Sequence, residues 1–320
     1  MNPSLSAENK EEEVIDNSTH SSPPHEAMFL VLAYLPLFEL LALSQACRSL
    51  RDAVNNDILP WLNNIVVKKP LNSRLSDDIL MKIASKSNGR MRTLALVNCV
   101  KITDDGLQRV VEKNPLISKL YIPSCTALTP EGVINTVKIL TGNNLSLVSL
   151  KISGIYNINK EHLKTLHSYL DINPRLQRRQ KQQCSLYVES KKFSTFGHDE
   201  SDCPLIDIDI CPKCDEVRMV FDCPKESCEI KRQLQQIECR GCYHCIPRCE
   251  ECGKCIGFEE LGEAACADFL CSECWFELPK CNFCNQPYCS QHADQQCSLP
   301  GSSGFVCGDC YMKFISNSND

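Results

Sequence analysis

Apolar positions along the 320-residue chain change their period from region to region. Between residues 23 and 67, Leu43, Cys47, Leu50 and Val54 step by four, three and four, which lines one face of a helix, while Arg48, Arg51 and Asp52 fall on others. Ahead of them, Phe29, Leu32, Ala33 and Leu35 line a separate short helix that Pro36 ends. So small a helical unit carries more leucine than it can bury, and the surplus predicts a partner surface.

From 71 to 170 the pattern repeats. The stretches "MRTLALVNCVKITDDGLQRVV", "ISKLYIPSCTALTPEGVINTV" and "LVSLKISGIYNINKEHLKTL" align, with apolar cores starting at Leu94, Leu120 and Leu150, steps of 26 and 30 residues. That is the leucine-rich-repeat period, one short strand plus one helix per turn of an α/β solenoid. Leu75-Ser-Asp-Asp-Ile-Leu matches Ile102-Thr-Asp-Asp-Gly-Leu, which predicts a helical half-repeat at the start of the stack. Strand alternation places Thr93, Ala95, Lys119, Tyr121, Ser149 and Lys151 on the open face, where a protein substrate would lie.

After residue 203 the aliphatic pattern stops. Between Cys211 and Cys310 there are 19 cysteines against 12 Leu, Ile and Val together, so a different cross-link must hold this segment. CxxC turns each offer two thiolates to a tetrahedral Zn2+, and they occur at Cys211/Cys214, Cys239/Cys242, Cys249/Cys252, Cys271/Cys274, Cys281/Cys284 and Cys307/Cys310, with a CxxH pair at Cys289/His292. Several structural zinc ions are therefore expected. The gaps between pairs join Cys249/Cys252 with Cys271/Cys274, and Cys281/Cys284 with Cys307/Cys310. For Cys211/Cys214, both Cys239/Cys242 and Cys223/Cys228 remain open.

Three rival chemistries share these residues. Cys239, Cys242, Cys245 and Cys249 have the spacing of a bacterial ferredoxin cluster, but Glu250 stands where that run has proline, and the eleven cysteines that follow it would be unexplained. A RING needs eight interleaved ligands, usually with a Cys-x-His step before the middle pair. Here the histidine-bearing pair Cys289/His292 follows Cys281/Cys284, the wrong order. Thiol redox catalysis fits one CxxC better than six in an array.

Charge narrows the field further. The chain carries a formal charge of -6, and residues 211 to 310 hold 16 Asp and Glu against 9 Lys and Arg, so neither nucleic acid nor an anionic membrane is an expected partner. The apolar run from Ala27 to Leu43 is 17 residues long and is interrupted by Pro36 and Glu39, which argues against a membrane span. Glu11, Glu12 and Glu13 occupy the place where a secretory signal carries basic residues, so a reducing cytoplasm or nucleus is expected, where dense cysteine means metal. Residues 1–22 read as a disordered tail and 171–203 as a polar linker, leaving 204–320 as the zinc-stapled module with little regular structure.

The stretch "PHEAMFLVLAYLPLFELLALSQACRSLRDAV", Pro24 to Val54, resembles the F-box: Pro24 and Glu26, then Glu39-Leu40-Leu41, then Cys47-Arg48, with Trp61 beyond. Pro23 and Leu50 depart from the family pattern but keep its apolar character. Cys99 and Cys125 give the repeats the look of cysteine-containing leucine-rich repeats. They act there as small buried residues, and Gly154 takes that place in the third copy. Order and content are similar to plant F-box proteins of the SKIP type with a cysteine-rich tail.

The resemblance implies a multi-domain α+β protein that is not an enzyme: a substrate-recognition subunit of a Skp-cullin-F-box ubiquitin ligase. In that role Pro24, Phe29, Leu32, Leu35, Leu40 and Leu41 would dock on a Skp adaptor and through it on a cullin, while repeats and tail capture a protein substrate.

Overall fold

A computed structural model describes residues 25–56, 61, 64–142, 147–170, 205–234, 238–257, 260, 262–298 and 304–317. The expected tail at 1–22, the whole of the expected linker at 171–203 and Pro24 lie outside the described residues. The fold mixes helix and strand, and no helix among the described residues is long and apolar enough to cross a membrane.

Three helices open the chain: α1 (Glu26–Val31), α2 (Leu37–Ala46) and α3 (Arg48–Asn56). The His25 imidazole caps α1 by accepting from the Ala27 amide, and a 3-10 turn at Leu32–Tyr34 runs into Pro36, where the helix was expected to end. The four-residue face predicted from Leu43 to Val54 is not one helix. Cys47 is extended (φ -153°), and the break swings α3 back so that Leu50 and Val54 are buried. Trp61 completes the unit, with its Nε1 donating to the Val54 carbonyl at 2.9 Å and the Lys86 Nζ 4.5 Å above its ring.

Strands β1 (Asn64–Val67), β2 (Thr93–Leu96), β3 (Lys119–Tyr121) and β4 (Ser149–Lys151) form one parallel sheet in chain order. Helices α4 (Asp77–Ser85), α5 (Asp104–Lys113) and α6 (Pro130–Gly142) connect them, and α7 (Lys160–Leu170) follows β4. The central row of the register is Ile65, Leu94, Leu120 and Leu150, all buried. The first unit thus has its own strand, β1, and is a full strand-and-helix unit rather than the expected half-repeat. The short run "NIVV", with Ile65 and Val67 buried, stands two residues further ahead of Leu75 than Leu94 stands ahead of Ile102, so sequence register alone does not join it to the repeats.

Polar ladders fix the spacing between units. Thr103 caps α5 by accepting from the Gly106 amide, while the Asp77 carboxylate of the preceding unit accepts from both the Thr103 amide (3.0 Å) and its hydroxyl (2.7 Å). One unit later, Asp104 binds Thr129 at the same two distances and Thr129 caps Gly132. Each glycine leaves room for the carboxylate: a Cβ on Gly106 would lie 2.1 Å from the Asp77 Cγ, and one on Gly132 would lie 2.0 Å from the Asp104 Cγ. In the second copy Pro130 stands at the aspartate's position, and the glycine position of the third copy is filled by His162, whose Nε2 lies 3.5 Å from the Glu131 carboxylate. His162 instead exchanges capping hydrogen bonds with Asn159.

The turns after the strands correct one alignment. Asn98, Ser124 and Gly154 all adopt positive φ (55°, 56° and 78°), so Gly154 occupies the left-handed turn position. Ile155, buried, takes the place of Cys99 and Cys125. Those two cysteines are fully buried, and the Cys125 thiol meets the Leu96 carbonyl at 3.1 Å. The hydrogen bond with Cys125 and burial both push the Cys99 thiol upward, away from reactivity.

The free edge of β4 is extended by Leu205–Asp207. Leu150 donates to the Leu205 carbonyl and accepts from the Asp207 amide, and the Asp207 carboxylate accepts from the Ile152 (2.7 Å) and Ser153 amides. Ile206 and Ile208 join the core built by the helices and the sheet, which couples the cysteine-rich region to the last repeat unit. Beyond them, regular structure shrinks to two-residue antiparallel pairs and short helices at Glu226–Gln233, Ser272–Glu277 and Gly308–Asn317.

Candidate metal centres and partner face

Three turns in the cysteine-rich region share one hydrogen-bond pattern. In each, the first cysteine of a CxxC accepts from the residue four positions on, and its own amide donates to the residue five positions on: Cys211 with Asp215 and Glu216, Cys249 with Gly253 and Lys254, Cys281 with Asn285 and Gln286. The fourth residue has positive φ (62°, 72° and 58°), which Asp, Gly and Asn tolerate best. The tight loop aims both thiols of each pair to one side.

Each turn meets a second pair. Cys211 and Cys214 gather with Cys242 and Cys245, Cys249 and Cys252 with Cys271 and Cys274, and Cys281 and Cys284 with Cys307 and Cys310, the ligand atoms in each group lying within 4.8 Å of one another. Cys271 occupies the N-cap position of the helix Ser272–Glu277 and Cys307 precedes the helix Gly308–Asn317, so both sulfurs sit near positive helix ends. A fourth group is mixed: Cys266, Asp268, Cys289 and His292, with the His292 Nδ1 2.9 Å from the Asp268 carboxylate and 3.2 Å from the Cys289 sulfur. A fifth gathers Cys223, Cys228 and Cys255.

The distances fit single tetrahedral ions. With Zn–S bonds of about 2.3 Å, sulfurs at the corners of a tetrahedron lie about 3.8 Å apart. The structure has 3.9 Å for Cys214 to Cys242, 3.7 Å for Cys252 to Cys271 and 3.7 Å for Cys284 to Cys307. No disulfide joins any of these thiols.

Local electrostatics favour thiolate formation at one cysteine in each of the four all-cysteine groups, whereas burial raises Cys289 in the mixed group. Burial works to raise Cys211 and Cys281, but backbone amides outweigh it, those of Cys242, Cys214 and Lys213 for the first and Cys284, Cys307 and Phe283 for the second, so both fall to about 6. Hydrogen bonds led by the Cys255 and Cys252 thiols lower Cys223 and Cys249 to about 5.

Several expected groupings change. Cys239 and Cys242 do not act as a pair: Cys242 belongs with Cys211, whereas Cys239 lies 3.2 Å from Cys228 and 3.6 Å from Cys255. The ferredoxin-spaced run Cys239, Cys242, Cys245 and Cys249 is therefore dispersed over three groups and cannot hold one cluster. Cys289 and His292 are completed by Cys266 and Asp268, which no CxxC spacing marked. The objection to RING order also falls, because Cys266/Asp268 stands before the pair Cys271/Cys274 and alternates with it.

The open face of the sheet is more covered than alternation implied. Ala95 and Tyr121 are fully buried, Thr93 and Ser149 nearly so, and Lys119 and Lys151 are half-buried. Register explains part of this: Tyr121 stands between Ala95 and Lys151, whose Nζ lies 4.6 Å over the tyrosine ring, so the row covers itself with its largest member.

Of the residues expected to meet an adaptor, Leu32 and Leu40 are buried in the protein's own core, and Phe29, Leu35 and Leu41 are half-buried against it. The outward apolar side chains are Met28, Leu30 (76 % exposed), Val31, Tyr34 (87 %) and Phe38 (51 %). The run from Ala27 to Leu43 is apolar nearly all round, so periodicity alone does not separate its inner face from its outer one.

Two family models match the chain: F-box-like over residues 24–62, and the At3g27290 F-box protein C-terminal domain over residues 207–283. Among curated relatives, F-box protein SKIP28 of Arabidopsis thaliana is 41% identical over 303 residues, 92% of this chain and 92% of that protein. F-box protein SKIP14 is 32% identical over 269 residues, 83% of this chain and 57% of that protein, and F-box protein At3g27290 is 35% identical over 256 residues, 78% and 65%, both from Arabidopsis thaliana. The chain thus spans less than two thirds of the length of the latter two.

Proposed function

Because the chain belongs to the plant F-box family of the SKIP type, whose members are generally substrate adaptors of Skp-cullin-F-box ubiquitin ligases, we propose that it is such an adaptor and makes or breaks no bond itself. The observation that carries this reading is the exposed apolar face of α1 and the start of α2: Leu30, Val31, Tyr34 and Phe38 stay uncovered beside a core built from Leu32, Leu37 and Leu40. A monomer gains nothing from such a face, and a helical adaptor groove would bury it. Through the Skp adaptor the chain reaches a cullin. The strand-and-helix units act as a leucine-rich-repeat spacer, and the metal-bound tail presents a surface to a protein substrate in the cytoplasm or nucleus, raising its effective concentration near the charged enzyme. The test is binding of the full chain to a purified Skp adaptor, wild type against Leu30→Asp with Tyr34→Asp. Tight wild-type binding lost in the double variant supports the proposal, and no wild-type binding contradicts it.

In the tail, zinc fits the residues present. Four thiolates at tetrahedral spacing in three groups, and two sulfurs, an imidazole and a carboxylate in a fourth, are donor sets that zinc accepts. The ion would supply cross-linking and no catalytic step.

A second reading has one observation in its favour. The pairs Cys249/Cys252, Cys266/Asp268, Cys271/Cys274 and Cys289/His292 alternate between two groups in RING order, with Asp268 where a RING usually has histidine. Ubiquitin chains formed by the purified full chain without cullin would favour it over the adaptor. Absence of chains would leave the alternation a purely structural device.

A further inference from the structure

We propose that Cys223, Cys228, Cys239 and Cys255 form a tetrathiolate site for a fifth zinc ion, with Arg248 as its buried countercharge. The inference rests on the zinc reading of the other four groups and extends it to Cys223, Cys228 and Cys255, which stand in no CxxC pair of that reading, and to Cys239, which leaves its CxxC partner Cys242 to join them. Cys223, Cys228 and Cys255 gather within 4.8 Å of one another, and Cys239 joins from one side, 3.2 Å from Cys228 and 3.6 Å from Cys255, with Cys228 and Cys255 3.8 Å apart against a tetrahedral edge of about 3.8 Å around one zinc. Cys223 accepts from the Cys255 amide at 3.2 Å and from the Lys225 amide at 3.4 Å, which places it beside Cys255 and shapes it as a thiolate ligand.

Arg248 supplies an independent observation. Its side chain is fully buried, yet its guanidinium meets only carbonyl oxygens among the described residues: Cys239 at 2.6 Å, Phe221 at 2.9 Å and Gly253 at 3.5 Å. Its Nε has no partner. A buried cation held by neutral carbonyls is costly unless negative charge lies nearby. Four thiolates around a dication leave a net charge of -2, and Arg248 is wedged between two of the four ligands, bonded to the Cys239 carbonyl and bridged to Cys255 through the backbone. The site also explains why Cys239 is detached from Cys242. It ties the segment before the Cys242/Cys245 pair to the segment after Cys249/Cys252, so that it interlocks with the groups on either side.

The experiment is zinc stoichiometry of the full chain by elemental analysis and native mass spectrometry, wild type against Cys239→Ser. The proposal predicts five zinc ions in the wild type and one fewer in the variant. Four in both would overturn the fifth site while leaving the zinc reading intact, whereas a wild type without stoichiometric zinc would overturn that reading as well. Should Cys239→Ser fail to fold, the unmutated chain loaded with 113Cd answers the same question. Four resonances in the tetrathiolate region and one upfield from the mixed Asp268/His292 group support the site, and only three in the tetrathiolate region contradict it.

Discussion

The strand-and-helix region and the cysteine-rich region are similar in length but are held together by different physics. Between β1 and α7 a continuous aliphatic core runs through Leu94, Leu120 and Leu150, and every unit contributes buried strand and helix residues to it. After Ile208 the buried clusters contain only a few aliphatic residues each, such as Ile256 and Leu270 in one and Val306 in another, packed around cysteines. A core that small offsets little of the entropy of ordering its chain, and the proposed ion coordination would supply the difference. The contrast teaches that cysteine in this chain means two things. Cys99 and Cys125 are buried fillers of a turn, while the grouped cysteines of the tail are candidate metal ligands.

The largest expected effect follows directly. Removing metal from the full chain with a chelator should unfold residues 209–317 and leave the sheet and its helices intact, because each structural zinc contributes on the order of 10 kcal/mol and the repeat core contains none. Hydrogen exchange resolved by region checks this, and equal loss of protection in both regions would remove the contrast. The reverse perturbation is Leu120→Ala, which opens a cavity in the central row and should cost about 2–5 kcal/mol while leaving the metal content unchanged. Thermal unfolding together with metal analysis reads both.

A smaller effect probes the ladder between units. Gly106→Ala drives a methyl into the Asp77 carboxylate and should cost about 1–3 kcal/mol. In an Asp77→Ala background the same change should be nearly neutral, and a double-mutant cycle by denaturant unfolding measures that coupling. Additive costs would show that the glycine serves some other contact.

The smallest effect lies where the two regions join. Burial raises the Asp207 carboxyl above its ordinary value of 3.8, against the pull of the Ile152 and Ser153 amides. The folded state therefore binds this proton more tightly than the unfolded chain. The contribution is full below the ordinary value and is lost as pH rises through the raised one. Asp207→Asn should flatten that part of the stability-versus-pH curve, and unchanged curves would contradict the assignment.

Legibility in the sequence follows the same division. The repeat was readable because Leu94, Leu120 and Leu150 recur with a capping Thr-Asp-Asp-Gly or its relative, and a glycine appears wherever the preceding unit carries the aspartate. Two of the metal groups were readable because their ligands come as CxxC pairs at usual gaps. Cys266 with Asp268, and Cys223 with Cys228, Cys239 and Cys255, were not, because these ligands are brought together by folding rather than by one local turn. The outward face of α1 was hidden for a different reason. Leu30 and Tyr34 are as apolar as Leu32, and only the packed fold shows which of them the core leaves outside.

The most direct test of the account combines its two halves: binding of the full chain to a Skp adaptor before and after complete metal removal. Because the proposed docking face is on α1 and α2, which pack on the aliphatic core rather than on the cysteine groups, affinity should be unchanged when metal is removed from the tail. Loss of adaptor binding on metal removal, restored by zinc, would contradict it and place the docking surface in the cysteine-rich region.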